Sequence, residues 1–233
     1  MKKRLFLLSS SIFFIFNSQA QIHYFVEASG NMSIIPKSEK VIGSQSTDAA
    51  TTYTLLSQDT YNESYKGKLG GNIQIGMQYD LKNKISLESG LELSMIRFNR
   101  DLTLTHQSMY FSASNIFVPT LPDSYFKSEL KGDFSLSYLS IPVSVFYPLL
   151  KERLYVGAGV VPGVLIHASN DFNDNSMLSK LSVAAQLQAR FKMTEKISVV
   201  AAFQQYLSPT FKEEFSPNKS KNRLVKLGLR YDI

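Results

Sequence analysis

The feature that most narrows the fold of this chain is a period-two alternation of apolar and polar residues, kept up over unusually long segments. From Leu181 to Met193 the odd positions are Leu181, Val183, Ala185, Leu187, Ala189, Phe191 and Met193, and between them stand Ser182, Ala184, Gln186, Gln188, Arg190 and Lys192. Side chains on a strand point alternately to its two faces, so this is one strand with an apolar face and a polar face. In 22–35 the apolar set is Ile22, Tyr24, Val26, Ala28, Gly30, Met32 and Ile34, against His23, Glu27, Ser29, Asn31 and Ser33. The same reading gives Tyr65, Leu69, Ile73, Ile75, Met77, Tyr79 and Leu81 in 65–81, and Ile85, Leu87, Leu91, Leu93 and Met95 in 85–98. It gives Leu154, Val156, Ala158, Val160, Val164 and Ile166 in 154–166, and Val225, Leu227, Leu229, Tyr231 and Ile233 in 223–233. Two further stretches, 134–147 and 197–207, read as strands with both faces mixed.

The connections between these eight strands alternate in length. Those at 82–84, 148–152 and 194–196 are short; those at 36–64, 99–132, 168–179 and 208–222 are long and rich in Ser, Thr, Asn, Asp and Lys. Short turns on one side and long loops on the other are the pattern of outer-membrane barrels. Strands tilted by about 45° at this length match a hydrocarbon layer, whereas strands of soluble sandwiches run to about five or six residues. The expected fold is all-β: an eight-stranded antiparallel up-and-down transmembrane β-barrel. Its apolar face would meet lipid, and Gln186, Gln188, Arg190 and Lys192 would point into a polar lumen.

The N-terminus agrees with export. Lys2, Lys3 and Arg4 precede the apolar run "LFLLSSSIFFIF", and Ser18 and Ala20 stand where a signal peptidase expects small residues, so 1–20 reads as a cleaved signal peptide and 21–233 as the barrel domain. The formal charge of +6 loses those three bases on cleavage, leaving 22 bases against 19 acids, or +3. That balance argues neither for nor against nucleic acid, but no basic patch with interleaved aromatics occurs, so no nucleic-acid partner is expected. With no cysteine in the chain, disulfides, thiolate catalysis and Cys-ligated metals are excluded. Outer-membrane lipid is the first expected partner and the bacterial outer membrane the expected location.

Tyr24, Tyr79, Tyr147, Phe191 and Tyr231 share the apolar parity of their strands and fall near the short-turn ends, as an interfacial aromatic girdle would. On the polar parity, Glu27, Glu88, Arg190 and Arg230 converge on one level of a narrow interior, with Glu92 and Lys226 about one layer higher. An eight-stranded barrel is only wide enough for side chains to fill it, so these six residues read as a structural salt-bridge network that plugs the lumen. Gly157 and Gly159, of the same inward parity, could make room for it.

Three segments carry a family resemblance: "YLSIPVSVFYPL" (138–149), "YVGAGVVPGVLI" (155–166) and the ending "VKLGLRYDI". They resemble the fourth, fifth and last strands of the PorT-like outer-membrane β-barrel family. That resemblance implies a barrel inserted by the assembly machinery through its last strand, and some relatives are associated with secretion or gliding machinery. The family usually ends in Phe where this chain has Ile233.

No metal-ligand spacing, phosphate loop, nucleophile elbow or dinucleotide fingerprint occurs, so no catalytic, cofactor or metal residue is assigned. The leading reading is a non-enzymatic barrel, closed to bulk solute, whose loops 36–64 and 99–132 bind an extracellular protein or ligand. Loop 99–132 holds Tyr110, Phe111, Phe117, Leu121, Tyr125 and Phe126, more apolar surface than a solvated tether needs, although strands extending past the membrane would account for it equally. Two alternatives stand beside this reading: a lipid-modifying enzyme using His106, near Asp101 and Ser108, and a soluble lipocalin-like carrier.

Overall fold

The computed structural model describes residues 22–47, 53–81, 84–112, 124–150, 153–171, 175–212 and 221–233, so the expected signal peptide lies outside the described residues. Ten strands follow one another: β1 (Ile22–Ser33), β2 (Ser38–Thr47), β3 (Tyr53–Asp80), β4 (Ser86–Ser112), β5 (Ser124–Ser140), β6 (Val143–Leu149), β7 (Leu154–Asn170), β8 (Leu181–Lys192), β9 (Ile197–Tyr206) and β10 (Arg223–Asp232). All pairings are antiparallel. β1 pairs with both β3 and β10, and β3–β4 and β6–β7 pairings complete a closed ring. β5 and β6 share one stave, broken at Ile141 and Pro142, since proline has no N–H to give to a ladder. The ring therefore has eight staves, β2 standing outside it.

The outer wall is apolar: Leu187 is 62% exposed and Leu227 64%, while Arg190 and Leu136, which point inward, are 0% exposed. Hydrocarbon cannot hydrogen-bond a free amide, so only a closed ring can carry such a wall across a bilayer. The chain is a transmembrane β-barrel. A soluble carrier would place its apolar face inside, the reverse of this arrangement.

The lumen is not polar throughout, as the alternation suggested. It is polar toward the short turns and apolar toward the other end, where Ile96, Phe98, Phe134, Leu136, Tyr138, Ala184 and Leu224 point inward and are buried. This is why 134–147 looked mixed: its inward set is half apolar. The connections after β7 and β9 fold down onto this layer, joined by a bridge between Leu178 and Phe211. Ser179 N donates to Thr210 O (3.0 Å) and Lys212 N to Met177 O (2.9 Å). The Phe211 ring lies 5.3 Å from that of Phe134, 6.1 Å from Phe98 and 6.4 Å from Tyr65. The described parts of the long connections at 168–179 and 208–222 thus form an apolar cork.

The expected loops 36–64 and 99–132 are corrected more fully. β3 and β4 pair continuously from Asp80–Ser86 up to Tyr53–Ser112, with one irregularity between Lys68 and Gly71. β2 adds to the free flank of β3 (Ser38–Glu63 to Thr47–Thr54), and β5 pairs with β4 up to Ser108–Ser124. One sheet of four strands therefore rises beyond the barrel wall. The irregularity also moves Tyr65: its odd number matched the lipid-facing set, but a bulge inserts one residue and reverses the parity beyond it, so Tyr65 is buried inside.

Leu136→Ala, in the cork layer, should lower folding stability by about 2–5 kcal/mol, whereas Leu187→Ala, which loses only lipid contacts, should be nearly silent. Leu187→Arg should lower it by about 2–4 kcal/mol. Denaturant-dependent folding into lipid vesicles, read by heat-modifiable gel mobility, measures all three; a silent Leu136→Ala would contradict an apolar interior.

Candidate functional site

The lower lumen is built from alternate residues of four walls. Glu88 of β4 accepts hydrogen bonds on one oxygen from Nη1 of Arg190 (β8) and on the other from Nη1 of Arg230 (β10), the latter at 2.8 Å. Arg230 also donates Nη2 to Gln78 Oε1 (2.8 Å) and Nε to Asp232 Oδ1 (2.7 Å), and its guanidinium lies 3.7 Å over the Phe25 ring. Arg190 lies 4.7 Å over Tyr155 and 5.1 Å over Phe146. Phe146 fits because its neighbour is Gly157, where a Cβ would stand 2.6 Å from the Phe146 ring.

One layer up, Lys226 Nζ contacts both oxygens of Glu92 (2.8 and 2.9 Å), and Glu92 also accepts from Asn72 Nδ2 (3.0 Å). Asn72 is bonded in turn by Asn31. Gln204 Nε2 donates to Gln186 Oε1 (2.5 Å), and Gln186 Nε2 to Gln188 Oε1 (2.6 Å). Glu27 is buried on β1 opposite Arg230 and Gln74, attracted by Lys226 and Arg230 and repelled by Glu88 and Glu92. Glu88 therefore pairs with Arg190 and Arg230 and Glu92 with Lys226, while Glu27 is buried beside them. A buried charge stripped of its partner is far less stable than a paired one, so this arrangement holds the walls at fixed separation. The sequence placed Glu27, Glu88, Arg190 and Arg230 on one level; in the structure Glu88 gathers both arginines and Glu27 stands opposite Arg230.

The five girdle aromatics all lie within three residues of the short-turn ends of their strands; Tyr24, Tyr147, Phe191 and Tyr231 are exposed on the outer wall and Tyr79 is half-buried.

The second candidate is the sheet above the barrel. Its inner face carries a buried ion pair between Arg100 and Glu63, which also accepts from the Tyr65 hydroxyl (3.3 Å). Arg100 lies 4.4 Å over Phe211, joining the sheet to the cork. Sequence reasoning missed Glu63, Arg100 and Phe211 because they lay in presumed loops, and put Tyr65 on the wrong face; Glu63, Tyr65 and Arg100 could be placed only by carrying the alternation past the bulge. Higher on this face, His106 Nδ1 meets Asp59 Oδ1 at 2.6 Å. The partner is Asp59 across the ladder rather than Asp101, and the Ser108 side chain lies outside the described residues. The same is true of the side chains of Tyr110, Phe111, Phe117, Leu121 and Tyr125, while Phe126 is exposed. Along β5, Glu129 contacts Lys127 (2.6 Å) and Lys131 (3.4 Å), and the hydrogen bond from Lys127 holds its carboxyl below the usual carboxylate range. Among the described residues no group of His, Asp and Glu is arranged to hold a metal.

No protein-family model matches the sequence, and no curated protein does. Among solved structures the chain is similar to the outer membrane protein OprG from Pseudomonas aeruginosa, with 11% identity, 91% of this chain and 95% of that chain covered, and a TM-score of 0.44. It is also similar to Neisserial surface protein A (11% identity, 92% and 99% covered, TM-score 0.43). A third is Ail, the attachment invasion locus protein of Yersinia pestis (10% identity, 91% and 97% covered, TM-score 0.32). The closed ring and its apolar outer wall assign the fold independently of these likenesses.

Glu88→Gln, which leaves buried Arg190 with no carboxylate and Arg230 with Asp232 alone, should destabilise the barrel by about 3–5 kcal/mol. Arg190→Leu with Glu88→Leu should be less damaging than the sum of the two single changes. Strict additivity in vesicle refolding would show that the two residues do not act as a pair.

Proposed function

We propose that this chain is an exported, non-enzymatic outer-membrane barrel, closed to bulk solute, whose protruding sheet receives an extracellular protein or ligand. The observation that carries this reading is the sheet itself. β2, with the outer parts of β3, β4 and β5, continues well past the apolar wall, and a barrel needing only to span the bilayer would have no use for it. Exposed Val41, Ile42 and Phe126 give that sheet apolar contact points among polar neighbours. They would be the first apolar side chains that an incoming partner meets.

The lower charge network and the cork together support a closed lumen, since an interior this narrow fills with side chains. The girdle aromatics would anchor the short-turn end at the periplasmic interface. Membership of the PorT-like family, with export by a cleaved signal and assembly through β10, fits the three quoted segments and belongs to the same reading; a role beside secretion machinery would follow from it.

One observation favours a second reading. A histidine held by a carboxylate on Nδ1 keeps Nε2 available as a base, so Asp59 and His106 make up two parts of a hydrolytic triad. Lipid turnover by purified protein that disappears in His106→Ala would support an enzyme; absence of turnover leaves His106 as a cross-strand pair.

Cysteine placed at Gln58 or Lys127 should react with an impermeant maleimide on whole cells, and cysteine at Lys84 or Glu195 should not; the opposite pattern would invert the protein. Photo-crosslinking residues at Val41 or Phe126 should trap a specific partner on intact cells, while one at Leu187 should trap none. A pattern identical at all three sites would remove the case for the sheet as a binding face. In planar bilayers the protein should show no steady conductance of porin size, and a stable large channel would refute the closed lumen.

A further inference from the structure

Gly30 of β1 and Gly71 of β3 are register partners on the outer wall. Neither has a positive φ. A Cβ built at either position would come no nearer than 3.8 Å to its neighbours. Elsewhere in the barrel wall glycines are different: at Gly76, Gly157, Gly163 and Gly228 a Cβ would fall within 2.6 Å of another atom, and Gly43, which is also open, stands on β2 outside the ring. Glycine weakens a strand and leaves nothing to pack. At Gly30 nothing in the interior calls for glycine, and Gly71, where the bulge closes, is crowded by no neighbour, so the space the pair leaves lies outside the wall.

What it provides is a groove of about 620 Å³, lined by Ala28, Gly30, Gly71, Ile73, Leu93 and Met95. On either side of it the wall is raised by Leu69 and Leu227, both strongly exposed. The groove lies in the upper half of the apolar belt, where hydrocarbon is the surrounding medium. Directly above it the wall changes chemistry. Arg97 stands two residues beyond Met95 on the same face, about 7 Å at the rise of a strand, and its register partner is Lys68. Lys66 is the next outward residue above. Asp133 binds Lys68 at 2.5 Å and takes a place beside Asp171, so three bases here face two carboxylates.

An apolar slot ending beneath an excess of positive charge has the shape of one lipid: chain below, phosphate above. We infer that the Gly30–Gly71 groove seats an acyl chain of an anionic phospholipid-type lipid whose phosphate is held by Arg97 and Lys68. This rests on the lipid-facing assignment of the outer wall and is separate from the partner proposed for the protruding sheet.

The chain contains no tryptophan, so a single Leu93→Trp reports on the groove and a single Leu187→Trp on the opposite wall. Each is reconstituted in vesicles containing brominated phosphatidylglycerol or brominated phosphatidylcholine, and quenching gives the relative occupancy of the two lipids. At Leu93→Trp, phosphatidylglycerol should be preferred by about fivefold or more, the effect of one to two bases near an anionic headgroup. At Leu187→Trp there should be no preference. Arg97→Gln with Lys68→Gln should abolish the preference while leaving quenching by either lipid. Gly30→Leu or Gly71→Leu should abolish it with normal heat-modifiable mobility, because neither Cβ meets a neighbour. Equal lipid preference at the two reporters, or preference unchanged by filling the groove in a folded barrel, would overturn the site. Absence of quenching at both reporters would overturn the membrane assignment on which it rests.

Discussion

A backbone amide in hydrocarbon has no solvent to bond to, and this single constraint organises the protein. It forces the staves to close, with β1 paired to both β3 and β10. Closure sends half of the side chains into a narrow interior, and that interior must then satisfy its own polar groups. The lower lumen does this with paired charges, Glu88 with Arg190 and Arg230 and Glu92 with Lys226; the upper lumen is filled by apolar packing instead. The break at Ile141–Pro142 shows how little latitude remains. Ile141 N recovers its hydrogen bond from Pro162 O at 2.9 Å, so the interruption leaves no amide of that residue stranded.

The apolar half of the interior is tied to the protruding sheet. Arg100 stacks on Phe211 of the cork and pairs with Glu63 of the sheet above it. Phe211 in turn packs on Phe98 and Phe134 of the barrel wall. A force on the protruding sheet would therefore be transmitted to the mouth through rigid, packed contacts rather than through a flexible tether.

The sequence was most legible where one solvent lay on each side of a strand. Along β8 and β10 the alternation is clean because lipid stands outside and polar side chains inside, and the eight staves with their short turns could be read directly. Legibility failed where that contrast disappeared. Phe134, Leu136 and Tyr138 are apolar and inward, so the parity of their strand looked blurred. In 53–64 and 99–112 both faces of the sheet are polar or mixed, and long strands there looked like loops. Tyr65 was misread for a geometric reason, the bulge between Lys68 and Gly71, which no pattern of composition signals. The charged residues of the lumen were legible as a group, but not as pairs, because register and strand tilt decide which acid meets which base. The cork was invisible for another reason: Leu178 and Phe211 are single apolar residues in polar connections, given meaning only by a wall far away in sequence.

That last point bears on the order in which the protein is made. Phe211 comes from the connection before β10, yet its ring partners stand on β3, β4 and β5, across the lumen. The seat for Phe211 is thus made by three staves that precede it in the chain, and its ring can reach that seat only after the chain has crossed back over the mouth.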